Sequence, residues 1–390
     1  MAGAGEKAFC AGGDVAALAK DNKEGAEGQE RSKAYFGIEY QLDHLIATYP
    51  KPYIAYMDGI TMGGGVGLSV HAPIRIATER TMFAMPETTI GFFPDVGGSF
   101  FLPRLEGEIG TYLALTSERL KGVNVFYAGI ATHYIDSSSL GALTARLGEL
   151  VFKDYAPMEE RLATIDATVE EFGTGLPHDE PMLLAGRLRM AIDRCFRYDT
   201  VEKIIAALEK ETDMSEWATK TLKTLSKRSP TSLKVALRQL RLGKFWTVSE
   251  SFQREYHIAS RFMSHPDFVN GVTARLVDKP PTTPVWDPPT LEGVKDSDVE
   301  EFFGVEGGRK MELLSEGDYE EYPFGHLALP REEEVERLVR RGGSSRRTVI
   351  EEFINQRNGK PGVREKVEEV IRRRCKVDRS GDLVWEEPNL

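Results

Sequence analysis

The chain has 390 residues, 41% of them hydrophobic and 9% aromatic, with a formal net charge of −11. That is enough for one sizeable core with a smaller unit beside it. No apolar run approaches the ~20 residues that a membrane-spanning helix needs, so no membrane span is expected. The negative balance also disfavours nonspecific binding of DNA or RNA by the surface as a whole. Three cysteines, Cys10, Cys195 and Cys375, share no CxxC spacing, which argues against a disulfide framework and against a zinc site; no metal is expected.

The opening residues, MAGAGEKAFCAGGDV, read as the inside of a domain, neither a signal peptide nor an Arg/Ser-rich presequence. Small residues lead into AFCAGGD, a strand that enters a glycine turn. From Lys51, PYIAYMDG reads as a short buried strand and GGGVGLSVHA as a helix opened by glycines. IRIATE and TMFAMP are two further strands. GGSFFLPRL and IGTYLALTSERL read as helices, and VNVFYAGIATHYI as a helix leading into a strand. Strand and helix alternating over residues 1–140 predict an α/β core.

Residues 141–279 turn helical. In YDTVEKIIAALEKE apolar residues recur at spacings of three and four behind Asp199 and Thr200, and SPTSLKVALRQLRLG carries Ser229 as cap, Pro230 as first helical residue and Gly243 as stop. Five prolines in KPPTTPVWDPPTL mark a linker or strap. The remainder of residues 280–390 is a charged helical extension broken by glycines. Solvated charged faces are the plain reading there; a phosphate or RNA contact by Arg340, Arg341, Arg346 and Arg347 is the other.

Three glycine stations, CAGGD at 10–14, GGGVG at 63–67 and DVGG at 95–98, stand at turns. Glycines there let backbone N–H groups approach an oxygen, as in an oxyanion hole or a phosphate cradle. No GKS or GKT follows and GGGVG is not GxGxxG, so nucleotide binding is disfavoured. Between the last two stations, TMFAMPETTIGFFPDVGGSFF sets Glu87 and Asp95, each directly after a proline, among phenylalanines, methionines and isoleucines. Each acid has a plain explanation, a helix-start acid for Glu87 and a cap or Asx turn for Asp95. Burial beside Phe92 and Phe93 gives the other, since it raises a carboxyl pKa and suits general acid/base work. Cys10 reads as a small buried residue, His71 as a satisfied core histidine, and Ser69 lacks the GxSxG elbow of a serine hydrolase.

The strings AFCAGGDV, KPYIAYMDGITMGGGVGLSVHA, FAMPETTIGFFPDVGG, LKGVNVFYAGIATHYI, SPTSLKVALRQL and DFVNGVTARLVDK resemble, in order, the enoyl-CoA hydratase/isomerase (crotonase) superfamily, and within it the 3-hydroxyisobutyryl-CoA hydrolases. The resemblance runs to about residue 290. It implies a spiral of ββα turns, N-terminally incomplete here, followed by a helical C-terminal region that completes an acyl-CoA site. It further implies that a thioester carbonyl sits between the N–H groups of Ala11 and Gly64, with Gly12, Gly13 and Asp14 in the same binding turn. Glu87 and Asp95 are then the catalytic carboxylates, and Glu39, in GIEYQL, lines the acyl pocket. No cofactor is implied, CoA being part of the substrate.

Hydratases of the superfamily carry a glutamate where this chain has Gly67 and a glycine where it has Asp95, so the resemblance favours hydrolysis, in valine breakdown, over water addition. Glu87 then either activates water or attacks the carbonyl directly. A mitochondrial address, contact with the mitochondrial ribosome as in some similar proteins, and hydratase or isomerase chemistry are the remaining implications. The family's strand and helix before AFCAGGD and its presequence do not precede it here, from which either a truncated start or a divergent form with an exposed sheet edge prone to self-association is expected.

Overall fold

The computed structural model describes residues 1–304 and 310–387. β1 (Ala8–Cys10) passes through Gly12 and Gly13 into α1 (Val15–Lys23), which Asp14 caps by accepting from the Ala17 amide at 3.0 Å. α2 (Ala26–Ala47) is the longest helix among the described residues. Its buried face mixes Phe36 and Tyr40 with Ser32, Asp43 and His44. β2 (Ile54–Met57), β3 (Ile60–Met62), α3 (Gly64–Val70), β4 (Ile74–Ala77) and β5 (Met82–Ala84) follow in close succession. Then come α4 (Gly98–Phe101), α5 (Ile109–Thr116), β6 (Leu120–Lys121), α6 (Val123–Tyr127) and β7 (His133–Tyr134).

Strands alternate between two sheets, in the orders β1-β3-β5-β6 and β2-β4-β7. All pairs are parallel except β5 with β6. The registers Ile54↔Ile74 and Ile60↔Met82 show one turn of chain laying a strand into each sheet before a helix returns it. This is the expected α/β spiral of ββα turns, with β1 at one sheet edge. One element differs from expectation. IGTYLALTSERL does not stay helical to Leu120: Ser117 takes φ 57° and closes α5, and Leu120 then pairs with Phe83 as β6.

The helical region comprises α7 (Leu140–Gly148), α8 (Met158–Glu170), α9 (Gly186–Phe196), α10 (Val201–Glu209), α11 (Ser215–Leu225), α12 (Pro230–Gly243), α13 (Val248–Phe262) and α14 (Pro266–Val272). Thr200 and Ser229 cap α10 and α12 by accepting from the Lys203 and Ser232 amides. Beyond the proline-rich stretch lie α15 (Asp296–Glu300), α16 (Glu332–Val339), α17 (Arg346–Gln356), α18 (Val363–Arg374) and a hairpin of β8 (Cys375–Val377) and β9 (Leu383–Trp385). No described helix is long and apolar enough to cross a membrane.

One apolar cluster runs from Phe83 and Phe93 through Leu233 and Phe262 to Val335, Phe353, Val367 and Val370. The C-terminal extension therefore shares a core with the strands, and only its outer helix faces are the solvated surfaces that its charge suggested. A buried ion-pair seam adds to this packing. Arg189, 1% exposed, lies 3.3 Å from Glu106, 3.0 Å from Asp193 and 3.0 Å from Glu332. Lys366, Arg373 and Arg374 of α18 close on the same acids. Alongside, Lys360 Nζ sits 2.6 Å from Glu170 and 3.5 Å from Asp166, within the cluster those two acids form with His133.

Candidate active site

Two of the glycine stations meet at the end of β1. Gly63 (φ 51°) and Gly12 (φ 104°) both need a left-handed backbone, and a Cβ on Gly65 would fall 2.0 Å from the Cys10 carbonyl oxygen. Only glycine lets α3 start this close to β1. Gly64 is the first residue of α3, so its N–H has no acceptor within the helix. The Ala11 N–H follows the last residue of β1. Neither amide has an acceptor among the described residues. The turn after β1 and the start of α3 lie against each other, since a Cβ on Gly12 would lie 3.7 Å from Gly64 N and one on Gly64 would lie 3.6 Å from Gly13 N.

The acids converge on the same place. Glu87 opens a short 3-10 turn after Pro86 and is 4% exposed, its main-chain carbonyl accepting from the Ile90 and Phe92 amides at 3.0 Å each. Its Oε2 has no partner, and its Oε1 would lie 3.4 Å from a Cβ on Gly63. Asp95, also 4% exposed, accepts from the Tyr40 hydroxyl at 2.6 Å. Glu39, half-buried on α2, reaches to 2.4 Å from where a Gly64 Cβ would be. Aromatic rings wall the group: Phe92 stacks on Phe36 at 5.1 Å and touches Phe262 and Phe268, and Phe93 stacks on Phe262 at 5.5 Å. Asp14 stands apart. It is exposed and engaged as the cap of α1.

Burial without cations sets the electrostatics. Glu87 is held well above the ordinary glutamate range, first by burial and then by the charge of Asp95. Burial pushes Asp95 up to about 7, although the hydrogen bond from Tyr40 pulls it down. Glu39 is pushed up to about 8 by burial and by Asp95, with relief from the Tyr35 hydroxyl. Asp95 and Glu39 exchange protons near neutral pH, and free amides at the glycine turns can hold a developing oxyanion. The arrangement is suited to attack on a carbonyl carbon.

Three further residues at the site were not found by sequence reading. Asp43 of α2, 0% exposed with neither carboxyl oxygen partnered, faces Gly67, where a Cβ would fall 2.4 Å from its Oδ2. Glu255 of α13, 0% exposed, accepts from the Gly97 and Ser99 amides. Tyr40 holds Asp95. All three lie on helices separated in sequence from the segments they touch, and no local spacing signals them. His71 is the satisfied core histidine expected, its Nε2–H donating to the Val96 carbonyl at 2.9 Å.

Comparison with known proteins places this geometry. The enoyl-CoA hydratase/isomerase family model matches residues 1–303. Small ribosomal subunit protein mS47 of Neurospora crassa is 54% identical over 381 residues, covering 95% of this chain and 75% of that protein. The human mitochondrial 3-hydroxyisobutyryl-CoA hydrolase is 44% identical over 313 residues, covering 80% of this chain and 78% of that protein. Among solved structures, a carnitinyl-CoA dehydratase from Mycobacterium thermoresistibile superposes with a TM-score of 0.68 at 34% identity, over 80% of this chain and 84% of that one. An enoyl-CoA hydratase from Rhodobacter sphaeroides 2.4.1 does so at 0.65 and 32%, with the same coverage. From its strand order to its glycine turns, the chain belongs to the enoyl-CoA hydratase/isomerase family.

Proposed function

We propose that the chain hydrolyses the thioester of 3-hydroxyisobutyryl-CoA, or of a close 3-hydroxyacyl-CoA, to the free acid and CoA in mitochondria, as a step of valine breakdown. The observation that carries this reading is the buried Glu87 carboxyl, with one oxygen unpartnered, beside the turn that presents the Gly64 amide. The thioester oxygen lies between the Ala11 and Gly64 N–H groups, which stabilise the negative charge that develops as the carbonyl carbon becomes tetrahedral. Donors of this kind are worth roughly 3–4 kcal/mol each. Glu87, ionised, either takes a proton from water as the water attacks or itself attacks to give an anhydride that water then opens. The C–S bond breaks and CoA leaves as the thiolate. Asp95 supplies the proton or holds the substrate hydroxyl, and Glu39 lines the acyl pocket.

Relatives named as mitochondrial 3-hydroxyisobutyryl-CoA hydrolases support the substrate and the compartment. Thiol release from a panel of acyl-CoAs tests the reading. Release fastest with 3-hydroxyisobutyryl-CoA supports it, and no release from any thioester refutes it.

A second reading, association with the small subunit of the mitochondrial ribosome, is favoured by one observation. The hydrolase alignments cover 80% of the chain and the family model stops at residue 303, whereas the alignment with the ribosomal protein covers 95% and so takes in most of the extension. A bare basic patch is not the support for it, because Arg340, Arg346 and Arg347 are ion-paired with Glu336, Glu387, Glu368 and Glu351. Co-sedimentation of the full chain with mitochondrial small subunits through a sucrose gradient in high salt would support this reading; migration as free protein would exclude it.

A further inference from the structure

The turn that carries Asp95 is strained and held from four sides. Val96 has φ 54°, a left-handed conformation that a β-branched residue takes only when its surroundings impose it. Each neighbouring residue is gripped by a buried side chain from a different element. The Pro94 carbonyl accepts from Gln239 Nε2 of α12 at 2.8 Å, Asp95 Oδ2 from the Tyr40 hydroxyl of α2 at 2.6 Å, and the Val96 carbonyl from His71 Nε2 at the end of α3 at 2.9 Å. Glu255 takes the rest. Its Oε2 accepts from the Gly97 amide at 2.7 Å, and its Oε1 accepts from the Ser99 amide at 2.8 Å and the Ser99 hydroxyl at 2.5 Å.

A carboxyl in the middle of a helix, 0% exposed and without an ion pair among the described residues, is costly unless its hydrogen bonds compensate. All of those bonds go to the two residues that flank Gly98. Gly97, with φ 83°, is fitted to its surroundings. A Cβ on Gly97 would fall 2.3 Å from His71 Nε2, so the chain passes against the imidazole with no side chain between them.

We infer that Glu255 is a positioning residue for the thioester reaction: by fixing the Gly97 and Ser99 amides it locks Val96 in the left-handed region and so aims the Asp95 carboxyl at the site of Glu87. The inference rests on the hydrolase reading for its catalytic consequence but not for the clamp itself. His71 works on the same turn from the other face. Burial pushes its pKa down to about 4, so the ring stays neutral and its Nε2–H remains the donor to Val96.

Glu255→Gln keeps the side-chain volume but leaves one acceptor oxygen where two are used. Displacement of an aimed group on this scale is expected to lower kcat by about 10²-fold, with KM changed by less than about twofold. Hydrogen exchange of the peptide over residues 93–102 should quicken in the same variant. Adding Val96→Gly, which adopts the turn without strain, should recover about tenfold of the lost kcat. Core filling alone would produce neither the recovery nor a kcat loss at constant KM.

Ser99→Ala, which deletes one of the three hydrogen bonds and little volume, is the milder variant if Glu255→Gln fails to fold; its kcat should fall about threefold to tenfold. A folded Glu255→Gln protein with wild-type kcat and wild-type exchange at 93–102 overturns the inference, as does a Ser99→Ala protein unchanged in both. If the wild type cleaves no thioester, the functional reading falls separately, and exchange at 93–102 alone decides the clamp.

Discussion

Two groups of acids with little exposure in this chain are treated in opposite ways. Around the candidate site, Glu39, Asp43, Glu87, Asp95 and Glu255 have no ion pair among the described residues, and all five are held above their ordinary pKa by burial. At the seam between α9 and the C-terminal helices, Glu332 is also buried and Glu106 half-buried. Arg189, Lys366, Arg373 and Arg374 surround them and hold Glu332 down to about 2 and Glu106 below its ordinary value. Burial itself pushes both groups upward; the cations reverse it at the seam. Asp95 at about 7 and Glu39 at about 8 can exchange protons, whereas acids kept ionised can only hold structure. The difference separates a reactive centre from a fastening.

The largest effect expected from breaking this division is at Glu87. Glu87→Gln or Asp95→Asn should lower CoA release by about 10³-fold while circular dichroism and melting temperature stay at or above wild type, because a strained buried acid is being removed. A large fall in stability with activity retained would invert the comparison. Next comes Glu332→Gln at the seam, which should leave kcat near wild type and reduce stability by about 3 kcal/mol, since it strands Arg189, Arg373 and Arg374. The sign with pH follows from the depressed pKa: Glu332 stabilises fully above its unfolded value of 4.5, and that contribution is lost as pH falls towards about 2. Urea titrations at pH 7 and pH 3 check it, the gap between wild type and variant closing at the lower pH. Smaller again is Lys360→Met, which removes the ammonium set between Glu170, Asp166 and the Thr132 carbonyl and should cost about 2 kcal/mol in the same titration at pH 7. An unchanged midpoint would mean that water satisfies those acids equally well.

How much of this could be read from the sequence depended on how local its cause was. The glycine turns at 10–14 and 63–67 and the strands beside them were legible, since close approach and left-handed backbone are demands made at single positions, as at Gly63 and Gly65. Glu87 and Asp95 stood out because an apolar run contained them. The 22-residue α2 was not legible: Ser32, Asp43 and His44 interrupt the apolar stripe that marks a buried helix face. Glu255 was hidden for the converse reason. It lies among Gln253, Arg254 and Tyr256 and reads as solvent-facing, and the amides that bury it are about 156 residues away in the chain. The β8 and β9 hairpin was likewise masked by the charges in RRRCKVDRSGD.

Asp43 offers the smallest and sharpest test of the comparison, because it is an acid of the site with neither oxygen partnered and no cation to reverse the effect of burial. Burial raises its pKa well above 3.8, and Glu39 adds to the rise. A raised folded-state pKa means that its contribution is fully present below 3.8 and is lost as pH climbs towards the folded value, because the unfolded chain ionises first. Asp43→Asn removes that titration and keeps the shape. The variant should therefore match wild type in stability at pH 4 and exceed it at pH 7, by on the order of 1 kcal/mol. Were it less stable at both pH values, Asp43 would have to be ionised and paired in the folded chain, and the candidate site would then resemble the seam it has been set against.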